Sequence, residues 1–262
     1  MAEEKFKCND CGKEFSNKNS MLQHKRDAHD AVIQQQSKKT FNTRKILPYL
    51  VIVLVITGIG GIAYWLVTYN QNSVGSINSF DFSFVPYEGN ASAKINIIEF
   101  GDYQCPVCRA FFSQTEPQVL QNYVDNRKAK FYFMDFAFLG PDSITLAEGA
   151  WCANDQNLYY AYHDYIYSNQ GIENTGWASP GKVKTFAANI QGIDVQKFSA
   201  CLDNQTYQSR VQQLYQVATS SSVTGTPTFF IGNSNIGYTS VVGNQPFATF
   251  KQTIDSQLAK VS

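Results

Sequence analysis

The chain has 262 residues, of which 44% are hydrophobic and 14% aromatic, so it is long and apolar enough to bury one or two domain cores. Its 21 Lys and Arg residues balance 21 Asp and Glu residues, which argues against a polyanion as the main partner. The charges are unevenly distributed along the chain. Residues 1–45 hold ten basic and six acidic residues, a net charge of +4 that leaves −4 for the remainder.

Residues 1–30 contain the ligand spacing of a Cys2His2 zinc site, with two cysteines three positions apart, a twelve-residue spacer and two histidines. The four predicted ligands are Cys8, Cys11, His24 and His29. The apolar positions that so small a unit needs are filled by Phe6, Phe15 and Met21. The segment therefore resembles a single C2H2 zinc finger, which implies a ββα fold held together by a structural Zn²⁺ ion.

The role of this finger is open from the sequence. One finger contacts only about three base pairs, which is too few for useful specificity. Asn17, Ser20 and Gln23 occupy the positions that would face bases, but such residues are also ordinary on a surface. We expect a protein-binding or purely structural module, and nucleic-acid binding is the weaker alternative.

A basic linker, 31–45, leads into an uncharged apolar segment at 46–68, and a polar linker follows at 69–80. The 22 residues from Ile46 to Val67 would reach about 33 Å as a helix, enough to cross a hydrocarbon core of about 30 Å. A buried core helix or a cleaved signal peptide would be shorter or carry a polar face. Basic residues precede the segment and none follows before Lys94, so we predict one membrane span with a cytoplasmic N-terminus.

The segment Cys105-Pro106-Val107-Cys108 follows a β-branched run, Ile95–Ile98, and precedes an amphipathic stretch from Arg109 to about Arg127. This order predicts a strand, a short turn and two cysteines at the start of a helix. A thiol at a helix N-terminus is stabilised as the thiolate, which is the nucleophile of disulfide exchange. Zinc sites use the same cysteine spacing, so the redox interpretation of the motif depends on the strand before it and the helix after it.

Cys152 and Cys201 are the two remaining cysteines. Outside the cytosol such a pair most often forms a structural disulfide, which is the favoured interpretation. Two buried free thiols, or a second redox pair that exchanges electrons with Cys105 and Cys108, are the alternatives.

Residues 80–260 resemble the DsbA-like branch of the thioredoxin superfamily. The resemblance is carried by the Cys105–Cys108 motif, by Glu99 six positions before it, by the stretch 223–231 around Thr226-Pro227, and by the helical region that begins at 147–156. It implies an α/β thioredoxin-like fold over 81–262, with a helical domain inserted at about 140–220.

The resemblance also implies roles for individual residues. Cys105 would be the exposed nucleophile and Cys108 its buried partner. Thr226 and Pro227 would form a cis-proline loop against which substrate backbone pairs, and Glu99 would be a buried acid that moves protons at Cys108. Taken alone, Thr226-Pro227 favours a trans turn, and Glu99 could equally face solvent on its strand.

These features predict a membrane-anchored thiol–disulfide oxidoreductase that forms, isomerises or reduces disulfides in extracytoplasmic proteins without a catalytic cofactor. Its expected partners are exported proteins with cysteines and a membrane redox protein that resets the dithiol. No histidine separates the cysteines, and Thr226 is more typical of isomerases, so the direction of electron flow is open. The alternative is a membrane-tethered adaptor, with the finger binding a cytosolic protein or nucleic acid and the outer domain serving as a redox sensor or chaperone.

Overall fold

The computed structural model describes residues 6–25, 27–28 and 77–261. These residues fall into two units, one on each side of the boundary between residues 66 and 67. The predicted linker 31–45, the predicted membrane span 46–68 and residues 69–76 of the polar linker lie outside the described residues. Among the helices of the described ranges, none has both the length and the apolar character needed to cross a bilayer.

The smaller unit is a ββα arrangement. Strand β1, Phe6–Lys7, pairs antiparallel with β2, Glu14–Phe15, and helix α1, Lys18–Lys25, follows. The turn between the strands is closed by a hydrogen bond of 2.8 Å from the Gly12 N–H to the Cys8 carbonyl oxygen. Gly12 has φ +78°, a left-handed conformation that glycine adopts without steric cost.

The larger unit is built on a five-stranded mixed sheet in the order β3-β5-β4-β6-β7. Its strands are Glu88–Gly89, Ile95–Gly101, Ala129–Asp135, Thr228–Asn233 and Gly237–Val242, labelled β3 to β7 in chain order. Strands β4 and β5 are parallel, whereas β3 is antiparallel to β5, and β6 is antiparallel to both β4 and β7. Strand β4 is therefore the central strand of the sheet.

Strands β4 and β5 form the centre of the core because they are apolar on both faces. Ile95, Ile97, Ile98 and Phe100 of β4 are fully buried, which is typical of parallel strands covered on both sides. Helix α9, Phe247–Leu258, packs against β4 and β6. Its Phe250 ring lies 4.8 Å from the ring of Phe229.

The helical stretch expected from Arg109 to about Arg127 is broken into three pieces. Helix α2 spans Pro106–Gln114, helix α3 spans Glu116–Val119, and a π-helical turn covers Leu120–Val124. Pro117 explains the break between α2 and α3, because proline has no N–H to donate to the preceding turn.

Five helices lie between β5 and β6 and form the insertion. Helices α4 to α8 span Pro141–Asn154, Tyr159–Ser168, Pro180–Ala187, Val195–Asp203 and Gln208–Ser220. Large side chains such as Trp151, Tyr162 and Phe198 are buried within this layer. Helix α5 also contacts α2, so the insertion packs directly beside the cysteine motif. The mixed α/β thioredoxin-like fold expected from the sequence is thus confirmed.

Candidate active site

The Cys105–Cys108 pair lies where the central strand β4 passes into helix α2. Cys105 is the N-cap residue, in an extended conformation with φ −71° and ψ 119°, and Pro106 is the first helical residue. Proline is favoured there because the first N–H groups of a helix have no partner within it. The free N–H groups of the first turn, including those of Val107 and Cys108, are consequently available to the Cys105 sulfur.

Hydrogen bonds make the two cysteines chemically unequal. The Cys108 thiol and the backbone N–H groups of the first turn lower the pKa of Cys105 from 9.0 to about 6, against the opposing effect of burial. Burial raises the pKa of Cys108 well above its usual range, and Cys108 is fully inaccessible to solvent. At neutral pH the reduced pair therefore consists of a thiolate at Cys105 and a thiol at Cys108.

The expectation that Cys105 is exposed is wrong in this structure, since only 5% of the residue is accessible. Its Sγ atom lies 3.4 Å from the carbonyl oxygen of Thr226, so the loop before β6 covers the sulfur. Cys105 is nevertheless the more accessible of the two cysteines, because Cys108 has no exposed surface.

The loop that covers Cys105 contains a cis peptide bond between Thr226 and Pro227. The loop is fixed on both sides, by a hydrogen bond from the Gly243 N–H to the Pro227 carbonyl oxygen at 2.8 Å and by one from Thr228 Oγ1 to the Gly225 carbonyl oxygen at 2.7 Å. Pro227 directly precedes β6, where the missing N–H removes no hydrogen bond from the sheet.

Glu99 points into the core from β4 and is 1% exposed, so the solvent-facing alternative does not apply. Its Cα partners in the neighbouring strands are Phe133 and Phe229. Neither carboxyl oxygen makes a hydrogen bond within the described residues. Burial, and secondly the charge of Cys105, raise the pKa of Glu99 well above its usual range, which favours the protonated carboxyl.

Asp102 holds the loop between β4 and α2, and sequence reasoning did not select it. Its Oδ1 accepts hydrogen bonds from the Gln104 N–H at 2.8 Å and from Ser143 Oγ at 2.6 Å. Its Oδ2 accepts from the Phe138 and Leu139 N–H groups at 2.9 Å and 3.0 Å. Only the contact with Gln104 is local enough to leave a signal in the sequence.

Gln170, which follows α5, holds the same loop from the insertion. Its Nε2 donates to the carbonyl oxygens of Tyr103 and Cys105 at 2.8 Å and 3.0 Å. Beside it, an open groove runs along α2 next to the cysteine motif. Its lining residues include Gln104, Pro106, Arg109, Gln170, Ile172 and Glu173. Ile172 is 77% exposed, so the groove offers apolar surface close to Cys105.

Cys152 and Cys201 form a disulfide that joins α4 to α7, with their Cα atoms 5.8 Å apart. The bond therefore lies wholly within the insertion, between helices that also pack against each other.

The ligand atoms of Cys8, Cys11 and His24 lie within 4.8 Å of one another in the smaller unit. Cys11 Sγ and His24 Nε2 are 3.1 Å apart, and the His24 ring packs 5.0 Å from the ring of Phe15. His29, the fourth predicted ligand, lies outside the described residues. Two sulfurs and one imidazole nitrogen in such a cluster fit a tetrahedral zinc ion, which prefers these donors.

Together, the thioredoxin-like sheet and a cysteine pair with unequal pKa values at a helix N-terminus define the class of proteins that exchange dithiols and disulfides. The chain belongs to the thioredoxin family, because the family model described as thioredoxin matches residues 85–256. A second model, described as a C2H2-type zinc finger, matches residues 6–29.

The names of similar proteins agree with this assignment to the proteins that exchange dithiols and disulfides. The chain is 28% identical over 211 residues to probable disulfide bond formation protein D of Bacillus cereus. The aligned residues cover 79% of this chain and 94% of that protein. It is 26% identical over 177 residues to disulfide bond formation protein D of Bacillus subtilis, covering 66% of this chain and 77% of that protein. The expectation of a protein disulfide oxidoreductase is confirmed.

Solved structures agree with the fold. Oxidised BdbD from Bacillus subtilis superposes with a TM-score of 0.63 at 23% identity, covering 68% of this chain and 95% of that chain. The thiol–disulfide exchange protein α-DsbA2 from Wolbachia pipientis gives a TM-score of 0.57 at 24% identity, covering 74% and 97%.

Proposed function

We propose that this chain oxidises pairs of cysteines in extracytoplasmic proteins through Cys105 and Cys108, while the segment 46–68 holds it in the membrane. The observation that carries the proposal is the pKa of about 6 at Cys105, next to a Cys108 that stays protonated. Stabilising the thiolate favours the reduced form of a dithiol pair, and a pair that is stable when reduced is a strong oxidant. The names of the Bacillus relatives support the same direction.

The first step uses the oxidised pair. A substrate thiolate attacks Cys105 Sγ, a substrate–Cys105 disulfide forms, and the Cys105–Cys108 bond breaks with its electron pair leaving on Cys108. A thiolate buried at Cys108 is costly, so the protonated carboxyl of Glu99 donates a proton to it. The Thr226 backbone and Pro227 hold the substrate chain beside Cys105 during this attack.

The second step releases the product. Another thiolate of the substrate attacks the substrate sulfur of the mixed disulfide, and Cys105 departs as a thiolate that its pKa of about 6 stabilises. The substrate loses two electrons and gains a disulfide, while Cys105 and Cys108 gain the two electrons. Glu99 regains a proton from solvent, and a membrane redox partner removes the electrons before the next cycle.

The finger is an accessory module on the cytoplasmic side of the membrane. Cys8, Cys11, His24 and His29 would hold a Zn²⁺ ion, and the match of residues 6–29 to the zinc-finger model supports this assignment. The ion would supply the folding energy that so short a segment cannot obtain from its own core. We assign no redox step to it.

The reduction potential of the Cys105–Cys108 pair tests the direction of electron flow. The full chain is equilibrated against glutathione in detergent, quenched with acid and alkylated, and the peptide with both cysteines is quantified by mass spectrometry. We expect a potential closer to the value of about −120 mV for DsbA than to about −270 mV for thioredoxin. A value near that of thioredoxin would support a reductant or isomerase instead, and the absence of any redox transition would contradict an oxidoreductase.

A further inference from the structure

Three side chains that the redox chemistry does not use meet between α3 and the inserted helix α5. Glu116 belongs to α3, and His163 and Asp164 belong to α5. One nitrogen or oxygen atom of each lies within 4.8 Å of the atoms of the other two. The closest pair is His163 Nδ1 and Asp164 Oδ1, at 2.9 Å.

Two of these side chains are buried with polar atoms that lack a hydrogen-bond partner. His163 is fully buried and Glu116 is 3% exposed. Within the described part of the chain, His163 Nε2 and Glu116 Oε2 make no hydrogen bond. Buried polar atoms in native proteins are nearly always paired with protein, ordered water or a ligand, so the unpaired Glu116 oxygen is available to bind an ion.

Several carboxyl groups lie close together in this neighbourhood. Burial, followed by the nearby carboxyl groups of Glu99, Asp164 and Glu88, raises the pKa of Glu116 well above its usual range. Within the described ranges, no Lys or Arg forms an ion pair with Glu88, Glu116 or Asp164. The nitrogen partner that these carboxyl groups have in the described ranges is therefore His163, which lies against Asp164.

A hydrogen bond between His163 and Asp164 accounts for only part of the arrangement. It satisfies Nδ1, but the rest of the imidazole is surrounded by aromatic rings. These rings are Tyr103, Phe112, Phe133, Tyr160 and Tyr167. The Tyr160 and Tyr167 hydroxyls donate to backbone carbonyl oxygens instead of to the imidazole.

We propose that Glu116, His163 and Asp164 bind a divalent transition-metal ion, with zinc as the best match. One imidazole nitrogen and two carboxylate oxygens suit Zn²⁺, whereas Ca²⁺ and Mg²⁺ prefer oxygen ligands alone. Zinc bonds of about 2.0–2.1 Å put tetrahedral ligand atoms about 3.3 Å apart. His163 Nδ1 and Asp164 Oδ1, 2.9 Å apart, are already close to this value, so the ion would take the place of the hydrogen bond between them. Asp164 has 59% of its side chain exposed and gives the ion a route from solvent.

Such an ion would cross-link the two parts of the larger unit. Glu116 lies eight residues after Cys108, at the start of α3, whereas His163 and Asp164 belong to the insertion. The metal would hold the insertion against the helices that carry the dithiol. This site does not depend on the proposed direction of electron flow and remains even if that proposal fails.

The number of zinc ions bound per chain, measured on the full chain purified in detergent, tests the site. Cys8→Ser and Cys11→Ser remove the thiolates of the finger, and oxidation of Cys105 and Cys108 prevents them from binding metal. After equilibrium dialysis against micromolar Zn²⁺, we expect one zinc ion per chain in this background. We expect its loss in Glu116→Gln and in Asp164→Asn.

Asp203→Asn is the matched control, because Asp203 also lies in the insertion and its side chain is likewise 59% exposed. It should keep the ion. Absence of zinc from the background protein, or retention of zinc in both Glu116→Gln and Asp164→Asn, would overturn the proposal. If Glu116→Gln fails to fold, Asp164→Asn decides, since its exposed side chain can change without altering the core. Bound Co²⁺ should show weak visible bands without the intense absorption of cobalt thiolates.

Discussion

The Cys105 sulfur and the Thr226 carbonyl oxygen are 3.4 Å apart, although 121 residues separate them in the chain. Cys105 begins a helix that follows β4, whereas Thr226 precedes β6, the antiparallel neighbour of β4. The pairing of these two strands brings the thiol and the cis-proline loop together. The loop therefore covers the sulfur, which accounts for the exposure of only 5% at Cys105.

Replacing one cysteine at a time should distinguish the cysteine that attacks the substrate from the one that resolves the mixed disulfide. Cys105→Ser should abolish disulfide exchange, because the only sulfur of the pair with exposed surface is lost. Cys108→Ser should accumulate mixed disulfides between Cys105 and substrate, because the Cys105 thiolate attacks a substrate disulfide and no thiol at position 108 remains to displace the substrate. Non-reducing electrophoresis of the reduced variants with an unfolded substrate that carries disulfides measures both results. Equal accumulation of mixed disulfides in the Cys105→Ser variant would assign the attack to another cysteine.

The thiolate at Cys105 should be visible in the pH dependence of alkylation. Because its pKa is about 6 instead of 9.0, the rate of reaction of the reduced protein with iodoacetamide should rise with a midpoint near pH 6. A midpoint near 9 would show that the helix and Cys108 do not stabilise the thiolate. The Cys105→Ser variant supplies the background rate.

The same pKa shift predicts how the stability of the reduced protein depends on pH. A thiol whose pKa falls on folding stabilises the folded state above its unfolded pKa, and this contribution is lost as pH falls through its folded pKa. Cys108 stays protonated throughout this range. The reduced protein should therefore lose stability relative to the oxidised protein as pH is lowered from 9.0 to about 6. Denaturation of both forms by urea measures the difference, and the reduced protein should lose this dependence on pH in the Cys105→Ser variant.

Glu99→Gln should slow the step in which Cys108 leaves. The amide cannot donate a proton to the buried sulfur as the carboxyl does, so we expect the rate to fall by about 10²-fold. Stopped-flow measurement of the attack of a small thiol on the oxidised pair gives this rate. Glu148→Gln is the control, because Glu148 is also buried, with a pKa raised by burial alone, and lies on α4. An equal loss of rate in both variants would show a general effect on folding.

Replacing the Cys152–Cys201 disulfide with two alanines should lower the free energy of unfolding without removing the redox reaction. The bond closes a loop with a sequence separation of 49 residues. Such a closure contributes about 4 kcal/mol in the chain-entropy model. Urea denaturation measures the loss of stability, and the reduction potential of Cys105 and Cys108 should stay unchanged. Reduction of the Cys152–Cys201 bond during turnover of the unaltered chain would instead support electron exchange between the two pairs.

Chelation of zinc should unfold the finger and leave disulfide exchange intact. The finger and the larger domain belong to different units, so loss of the first need not alter the second. Protease digestion should cleave residues 6–29 after treatment with a chelator, and added Zn²⁺ should restore protection. His24→Ala should be cleaved with or without zinc. Protection that persists without metal would contradict a zinc-dependent fold.

Much of the candidate site can be predicted because its signals are local. The spacing of Cys8, Cys11 and His24 places three ligands on one short ββα unit, since a turn and a helix of fixed geometry separate them. The position of Cys105 and Cys108 after an apolar strand and beside Pro106 likewise indicates a helix N-terminus. These patterns span fewer than thirty residues each, over which backbone geometry alone relates one side chain to another.

The tertiary structure decided what depends on distant contacts. The burial of Cys105 follows from the loop at Thr226, and the fixation of its own loop follows from Asp102 reaching Phe138 and Ser143. The meeting of Glu116 with His163 likewise depends on how the insertion packs on the sheet. The sequence by itself therefore determined the reactive groups and their local conformation. Strand order and helix packing determined their accessibility and pKa values, because burial and charge act through space and not along the chain.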